Sequence, residues 1–299
     1  MNVLPFQGNA VNFGVARETV NNHLNSANGG ILWSILKADA PARITPALLS
    51  ELTAVQQELL DRYSHKEMDN AVNYHVLSSE IPGIFSLGGD LHFFCKCVRQ
   101  DNRKALLKYA RDSVEFVYQA VTNYHLPITT ITVVRGAAFG GGFEAALASN
   151  YLIAEEHATF SFPETRFGLF PGMGAFTFLR QRVPEHLAEE IIYSGKLYTA
   201  RELQKLNIVD QVCKKGQGYK ATMQFIAQRQ RQHQGIHAMR KMAQQFSSIN
   251  KQELYSIVDY WVESVFSLDD KQLRLIEALS RTSFHHHSRV HRRTIDGVY

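Results

Sequence analysis

Two glutamates stand where a carboxyl group is suited to acid–base work. Glu144 follows the run Gly140-Gly141-Gly142-Phe143 and falls in the first turn of the helix that this run opens. Glu164 sits in Phe162-Pro163-Glu164, within a segment dense in Phe160, Phe162, Phe167, Leu169 and Phe170. An apolar setting disfavours the charged form and raises a glutamate from about 4.3 toward neutrality, where it can give or take a proton. Alone, each glutamate reads as a helix-terminal charge or a surface residue. Two glycine turns change that reading. Gly83-Ile-Phe-Ser-Leu-Gly-Gly-Asp-Leu91 and Gly136-Ala-Ala-Phe-Gly-Gly-Gly-Phe-Glu144 each place glycines ahead of a helix. The first amides of a helix lack intrahelical acceptors and carry the positive end of its dipole, and glycine lets a ligand oxygen approach. If the turns converge they form an oxyanion hole, in which each donor is worth about 2.7–4 kcal/mol.

Other chemistries lack their residues. Gly-x-Ser-x-Gly and the phosphate-loop pattern do not occur, and Phe143-Glu144 interrupts any dinucleotide-binding spacing after Gly142. His233 and His237 are four apart, but Gln234 stands where a zinc protease needs Glu, so the pair reads as solvent-exposed. Cys95, Cys97 and Cys213 are odd in number, with only His92 close to the first two. They read as free or buried thiols of a reducing compartment, not as a metal site.

The elements that carry these residues alternate. Residues 30–37 read as a buried strand, and Thr45 as the N-cap of a helix with Pro46 at its first position. Residues 71–78 form a second strand, and a helical stretch then runs from the glycine pair 88–89 to about Tyr124. Ile128–Val134 is apolar and β-branched, as expected of a parallel strand covered on both faces. A helix follows from Phe143 to about Ser149, with short strands near Tyr151–Ala154 and Thr159–Phe162; from about Pro184 onward almost everything reads as helical, with Gly195, Gly216, Gly218 and Gly235 as the main breaks. The fold class is α/β with a helical C-terminal region.

With 45% hydrophobic and 20% charged residues among 299, the chain is expected to be globular, not disordered. No stretch reaches the roughly 18 apolar residues of a membrane span, and Met1–Val20 lacks a signal-like pattern, so a cytoplasmic location is expected. A net charge of +4 is too mild to argue for nucleic acid. Positive charge gathers at the end, in Arg281, Arg289, Arg292 and Arg293 with His285, His286, His287 and His291. That end reads as solvated, or as a contact for a phosphate or an acidic partner.

Gly88-Gly89-Asp90, Gly140-Gly141-Gly142-Phe143-Glu144, Pro163-Glu164 and Phe170-Pro171-Gly172-Met173-Gly174-Ala175 resemble, in order and spacing, the crotonase (enoyl-CoA hydratase/isomerase) superfamily. The resemblance covers about residues 28–280 and extends through Gly195–Leu203 and Ile208–Val212. Within the superfamily, Phe85–Leu91 with Phe94-Cys95, Gly140–Leu147, Ile153–Glu156, Leu169–Ala175 and Lys215–Gly218 look like the bacterial diffusible-signal-factor synthases. Those enzymes dehydrate 3-hydroxyacyl chains on acyl carrier protein to cis-2-enoyl thioesters and hydrolyse them to free fatty acids.

The resemblance implies a ββα spiral core over residues 28–205, after an N-terminal extension (1–27) and before a helical region (206–299) that assembles and closes the site. It implies oxyanion-hole amides at Gly89 and Gly141 and catalytic carboxylates at Glu144 and Glu164. Leu87, Gly88, Phe139, Phe167, Leu169 and Met173 are the expected substrate-binding residues. No metal or cofactor is implied. The expected partners are an acyl thioester on acyl carrier protein or CoA, further copies of the chain in a trimer or hexamer, and a regulatory protein. The C-terminal helix lacks the Phe/Lys pattern that CoA-using members place around the nucleotide, which favours acyl carrier protein. The apolar stripe Leu254, Ile257, Val258, Trp261, Val262, Val265 and Phe266 is the expected contact between copies.

Overall fold

The computed structural model describes residues 10–26, 29–64, 72–246 and 249–282. Among them the strands, in chain order, are β1 (Ala10–Asn12), β2 (Val20–Asn25), β3 (Ile31–Leu36), β4 (Tyr74–Ser79), β5 (Ile84–Ser86), β6 (Thr129–Val134), β7 (Ala137–Phe139), β8 (Tyr151–Glu155), β9 (Thr159–Ser161), β10 (Tyr198–Thr199) and β11 (Gln211–Cys213). The helices are α1 (Pro46–Ser64), α2 (Leu91–Arg99), α3 (Arg103–Val121), α4 (Gly141–Leu147), α5 (Ala175–Leu179), α6 (Glu185–Ser194), α7 (Ala200–Lys205), α8 (Gly218–Arg229), α9 (His233–Phe246), α10 (Lys251–Phe266) and α11 (Asp270–Thr282).

The main sheet has the order β1-β2-β3-β4-β6-β8-β11, parallel from β3 onward, and the smaller one β10-β9-β7-β5. Every residue of β3 and β6 is buried, as continuous apolar and β-branched runs require when both faces of a parallel sheet are covered. Each of β4, β6 and β8 leaves the main sheet and runs at once into β5, β7 and β9 of the smaller one, followed by helix or a 3₁₀ turn. This repeated ββα step is the expected spiral. It brings the ends of β5 and β7 side by side, because those strands pair directly.

Several expectations need correction. Residues 10–25, within the expected N-terminal extension, supply β1 and β2, which continue the sheet with β2 antiparallel to β3 and β1 antiparallel to β2. The stretch up to Tyr124 is two helices, not one. Asp101 takes a positive φ and the Asn102 side chain caps α3 by accepting from Ala105 N at 3.1 Å. Beyond Pro184, β10 and β11 interrupt the helices. His233 is buried, its Nε2 3.1 Å from the Asn73 carbonyl, so only His237 of that pair keeps partial exposure.

The stripe on α10 packs inward. Leu254, Val258, Trp261, Val262 and Val265 are buried within this chain, where α10 lies on α3, and Ile257 and Phe266 are half-buried. Arg111–Asp259 (2.9 Å) and Lys251–Glu115 (2.6 Å) bind the rims of that contact. A stripe wide enough to meet a neighbour is therefore spent on the chain's own core. The basic end beyond residue 282, with Arg289, Arg292 and Arg293, lies outside the described residues. No described helix is long and apolar enough to cross a membrane.

Candidate active site

The first glycine turn leaves β5 at Ser86 and is held from the side by the strand-like segment before α1. Leu87 N donates to Ala42 O (2.7 Å), Ile44 N donates to Gly88 O (2.8 Å), and Ile44 bridges to Gly89. Asp90 then caps α2, accepting from Phe93 N at 3.2 Å. Gly88 has φ +88, and a β-carbon there would lie 2.8 Å from Phe139 O and 3.0 Å from Gly141 N, so no side chain fits between the turns.

The second turn joins β7 to α4. Gly140, at φ +50, donates to Ser161 O (2.9 Å), and its carbonyl accepts from Phe143 N and Glu144 N. Gly141 opens the helix without a positive φ; a β-carbon on it would lie 2.8 Å from Met173 Sδ and 3.5 Å from Gly89 N. The two turns therefore touch. Neither Gly89 N nor Gly141 N has an acceptor among the described residues.

Glu144 lies one turn into α4 and is 1% exposed. Its Oε1 accepts from Met173 N (2.7 Å) and Ala175 N (2.9 Å), amides of the glycine-rich loop ahead of α5. Burial pushes its carboxyl up to about 7, against the pull of those amides. Glu164 begins the 3₁₀ turn Glu164–Phe167. The residue is partly exposed, but its Oε2 is sealed from solvent without a partner among the described residues. Burial first, and the negative charge of Glu144 second, push it up to about 8. Both carboxyls are thus held above the usual carboxylate range, and only Glu144 has amide donors to offset the cost of charge.

Both glutamates face one cavity of about 310 Å³. All ten residues singled out from sequence line it: Leu87, Gly88, Gly89, Phe139, Gly141, Glu144, Glu164, Phe167, Leu169 and Met173. Sequence reasoning missed the walls supplied from afar, namely Phe94, Tyr109, Ala110 and Ser113 of α2 and α3, Trp261 of α10 and Leu279 of α11. One local signal for Trp261 existed. Gly172 is small because its β-carbon would fall 2.6 Å from the Trp261 ring. Among the described residues no cluster of His, Cys, Asp and Glu has the makings of a metal site.

Paired carboxyls beside two free amides in a largely apolar cavity are an arrangement suited to holding an oxyanion. The enoyl-CoA hydratase/isomerase family matches residues 47–285, and the chain belongs to it. Over 196 residues it is 28% identical to the mitochondrial methylglutaconyl-CoA hydratase of Mus musculus, covering 65% of this chain and 58% of that protein. The chain thus spans little more than half the length of such curated relatives. Its fold superimposes on an enoyl-CoA hydratase from Bacillus halodurans with TM-score 0.73 at 20% identity, covering 87% of this chain and 100% of that one. The structure of Pseudomonas aeruginosa DspI is similar too, with TM-score 0.62 at 22% identity, covering 80% and 92%. The ββα spiral is therefore the crotonase fold.

Proposed function

We propose that this protein dehydrates 3-hydroxyacyl thioesters, carried on acyl carrier protein, to cis-2-enoyl thioesters and then hydrolyses the thioester to release the free unsaturated acid. The observation that carries this reading is the placement of two carboxyls, Glu144 and Glu164, in one cavity with the unpaired amides of Gly89 and Gly141. The thioester carbonyl accepts from both amides, with Leu87, Gly88, Phe139, Phe167, Leu169 and Met173 around the acyl chain. When the α-proton leaves to one glutamate, the carbonyl oxygen becomes an enolate-like anion in the amide pair. The other glutamate protonates the departing 3-hydroxyl, which leaves as water. For cleavage, a charged glutamate of the pair draws a proton from water as it attacks the carbonyl, the same amides hold the tetrahedral oxyanion, and the proton passes to the sulfur as the thiol departs.

Dehydration and its reverse use the same pair with acid and base exchanged, so one glutamate must be charged and the other protonated in either direction. A coupled pair of this kind titrates as a unit. A plain enoyl-CoA hydratase is the second reading, supported by the CoA hydratases among the relatives. Assembly into trimers or hexamers belongs to the proposal; with most of the α10 stripe buried, the exposed Met239, Met242 and Phe246 of α9 offer one apolar surface for it.

Purified protein given matched 3-hydroxyacyl and 2-enoyl thioesters on both carriers tests the reading. Water loss and free acid from the carrier-protein substrate are expected. Hydration of 2-enoyl-CoA without acid release would replace it with the second reading. Absence of turnover on every thioester would end both.

A further inference from the structure

Tyr109 of α3 borders the cavity, yet its hydroxyl is committed to the backbone. It donates to Ile44 O at 2.5 Å and accepts from Asp90 N at 3.4 Å. The ring is buried and flanked by Phe93 and Phe94, with centroids 5.3 and 5.6 Å away. Burial holds the phenol far above its ordinary value, so it remains a donor at any working pH.

The bonds from this hydroxyl lead to one peptide plane. Ile44, fixed through its carbonyl by Tyr109, uses its own N–H to hold Gly88 O at 2.8 Å. Gly88 O and Gly89 N belong to the same planar trans peptide, where the carbonyl and the N–H point in opposite directions. Holding the carbonyl toward Ile44 therefore turns the Gly89 N–H the other way. Asp90 N, tied to the same phenol oxygen, fixes the far side of Gly89. Glycine has no side chain to restrain it, so these tethers replace the torsional limits that another residue would have.

We infer that Tyr109 is the positioning residue of the Gly89 amide, acting through Ile44 and the Gly88–Gly89 peptide to aim one oxyanion donor. The inference rests on the acyl-thioester reading of the site. Tyr109 touches no reacting atom in this role. Its hydroxyl matters when negative charge develops on the substrate oxygen, and little when the substrate is merely bound.

Tyr109→Phe keeps the ring and deletes the tether. A short 3-oxoacyl pantetheine thioester serves as probe, because its enolate has its own ultraviolet absorption and is held by the same two amides. Wild-type protein is expected to bind the probe as enolate. The variant is expected to show less enolate at the same pH and a kcat lower by about 10- to 100-fold with KM nearly unchanged, as for a donor misplaced by a fraction of an ångström. Tyr124→Phe, which deletes an equally buried hydroxyl bonded to His75 away from the cavity, is expected to keep the wild-type enolate signal. Wild-type enolate and kcat in Tyr109→Phe would overturn the inference. So would an equal fall in Tyr124→Phe, which would trace the effect to general softening. A wild-type protein that neither turns over thioesters nor binds the enolate would overturn the reading of the site, and this inference with it.

Discussion

A β-carbon on Gly140 would lie 2.4 Å from Oε1 of Glu164. The glycine that turns the chain into α4 is thus also the wall against which the second carboxyl rests. One small residue borders both the Gly141 amide and the seat of the Glu164 carboxyl.

Gly140→Ala is therefore expected to do more harm to turnover than to folding. At φ +50 a side chain costs about 1–3 kcal/mol, and the displaced Glu164 carboxyl costs about 100-fold in kcat. Thermal melting and single-turnover kinetics measure the two effects separately. Wild-type kcat in a folded variant would break the link between the two residues.

Glu144→Gln and Glu164→Gln are each expected to lower dehydration about 10²- to 10⁴-fold. Because the two groups share one transition state, the double variant is expected to lose far less than the product of the single losses. Multiplicative losses in kcat would mean that the carboxyls act independently.

The same pair makes stability depend on pH. Both carboxyls are held above their ordinary 4.5 in the folded chain, at about 7 and about 8. The folded state thus binds these protons more tightly than the unfolded one. Their contribution is complete below about pH 4.5 and disappears as pH rises through 7 to 8. Glu164→Gln, neutral throughout, is expected to melt higher relative to wild type near pH 9 than near pH 5. Each kcal/mol so recovered moves Tm by about 2–4 °C in a chain of this size. A pH-independent difference in Tm would contradict the raised values.

Gly141→Val meets Met173 Sδ and crowds Gly89 N rather than straining the backbone. It is expected to abolish both dehydration and thioester hydrolysis, since one amide pair serves both. Product analysis by mass spectrometry checks this; survival of either step would locate its oxyanion donors elsewhere.

Much of the site was legible because its parts are local. Gly89, Gly141 and Glu144 sit on two short turns whose glycines announce close backbone approach, and Glu164 is embedded in aromatic sequence. Thr45 capped its helix as read, accepting from Leu48 N at 3.1 Å. The distant parts were not legible. Nothing around Trp261 or Leu279 says that a helix more than a hundred residues downstream of Gly141 walls the cavity. The α10 stripe looked like an interface because amphipathicity reports that a face is covered, not by what. β1 and β2 are hard to read because Val20-Asn-Asn-His-Leu-Asn25 is polar at four of its six residues, buried Asn22 being matched by Ser34 Oγ, which donates to its Oδ1 at 2.8 Å.

The wall formed by Trp261 and Leu279 also sets a timetable. During synthesis Glu144 and Glu164 leave the ribosome about a hundred residues before Trp261, an interval of roughly 5–20 s at ordinary elongation rates. Until then the cavity lacks the wall that these two side chains supply. The acyl chain meets its complete binding surface only after α10 and α11 have closed over the spiral core.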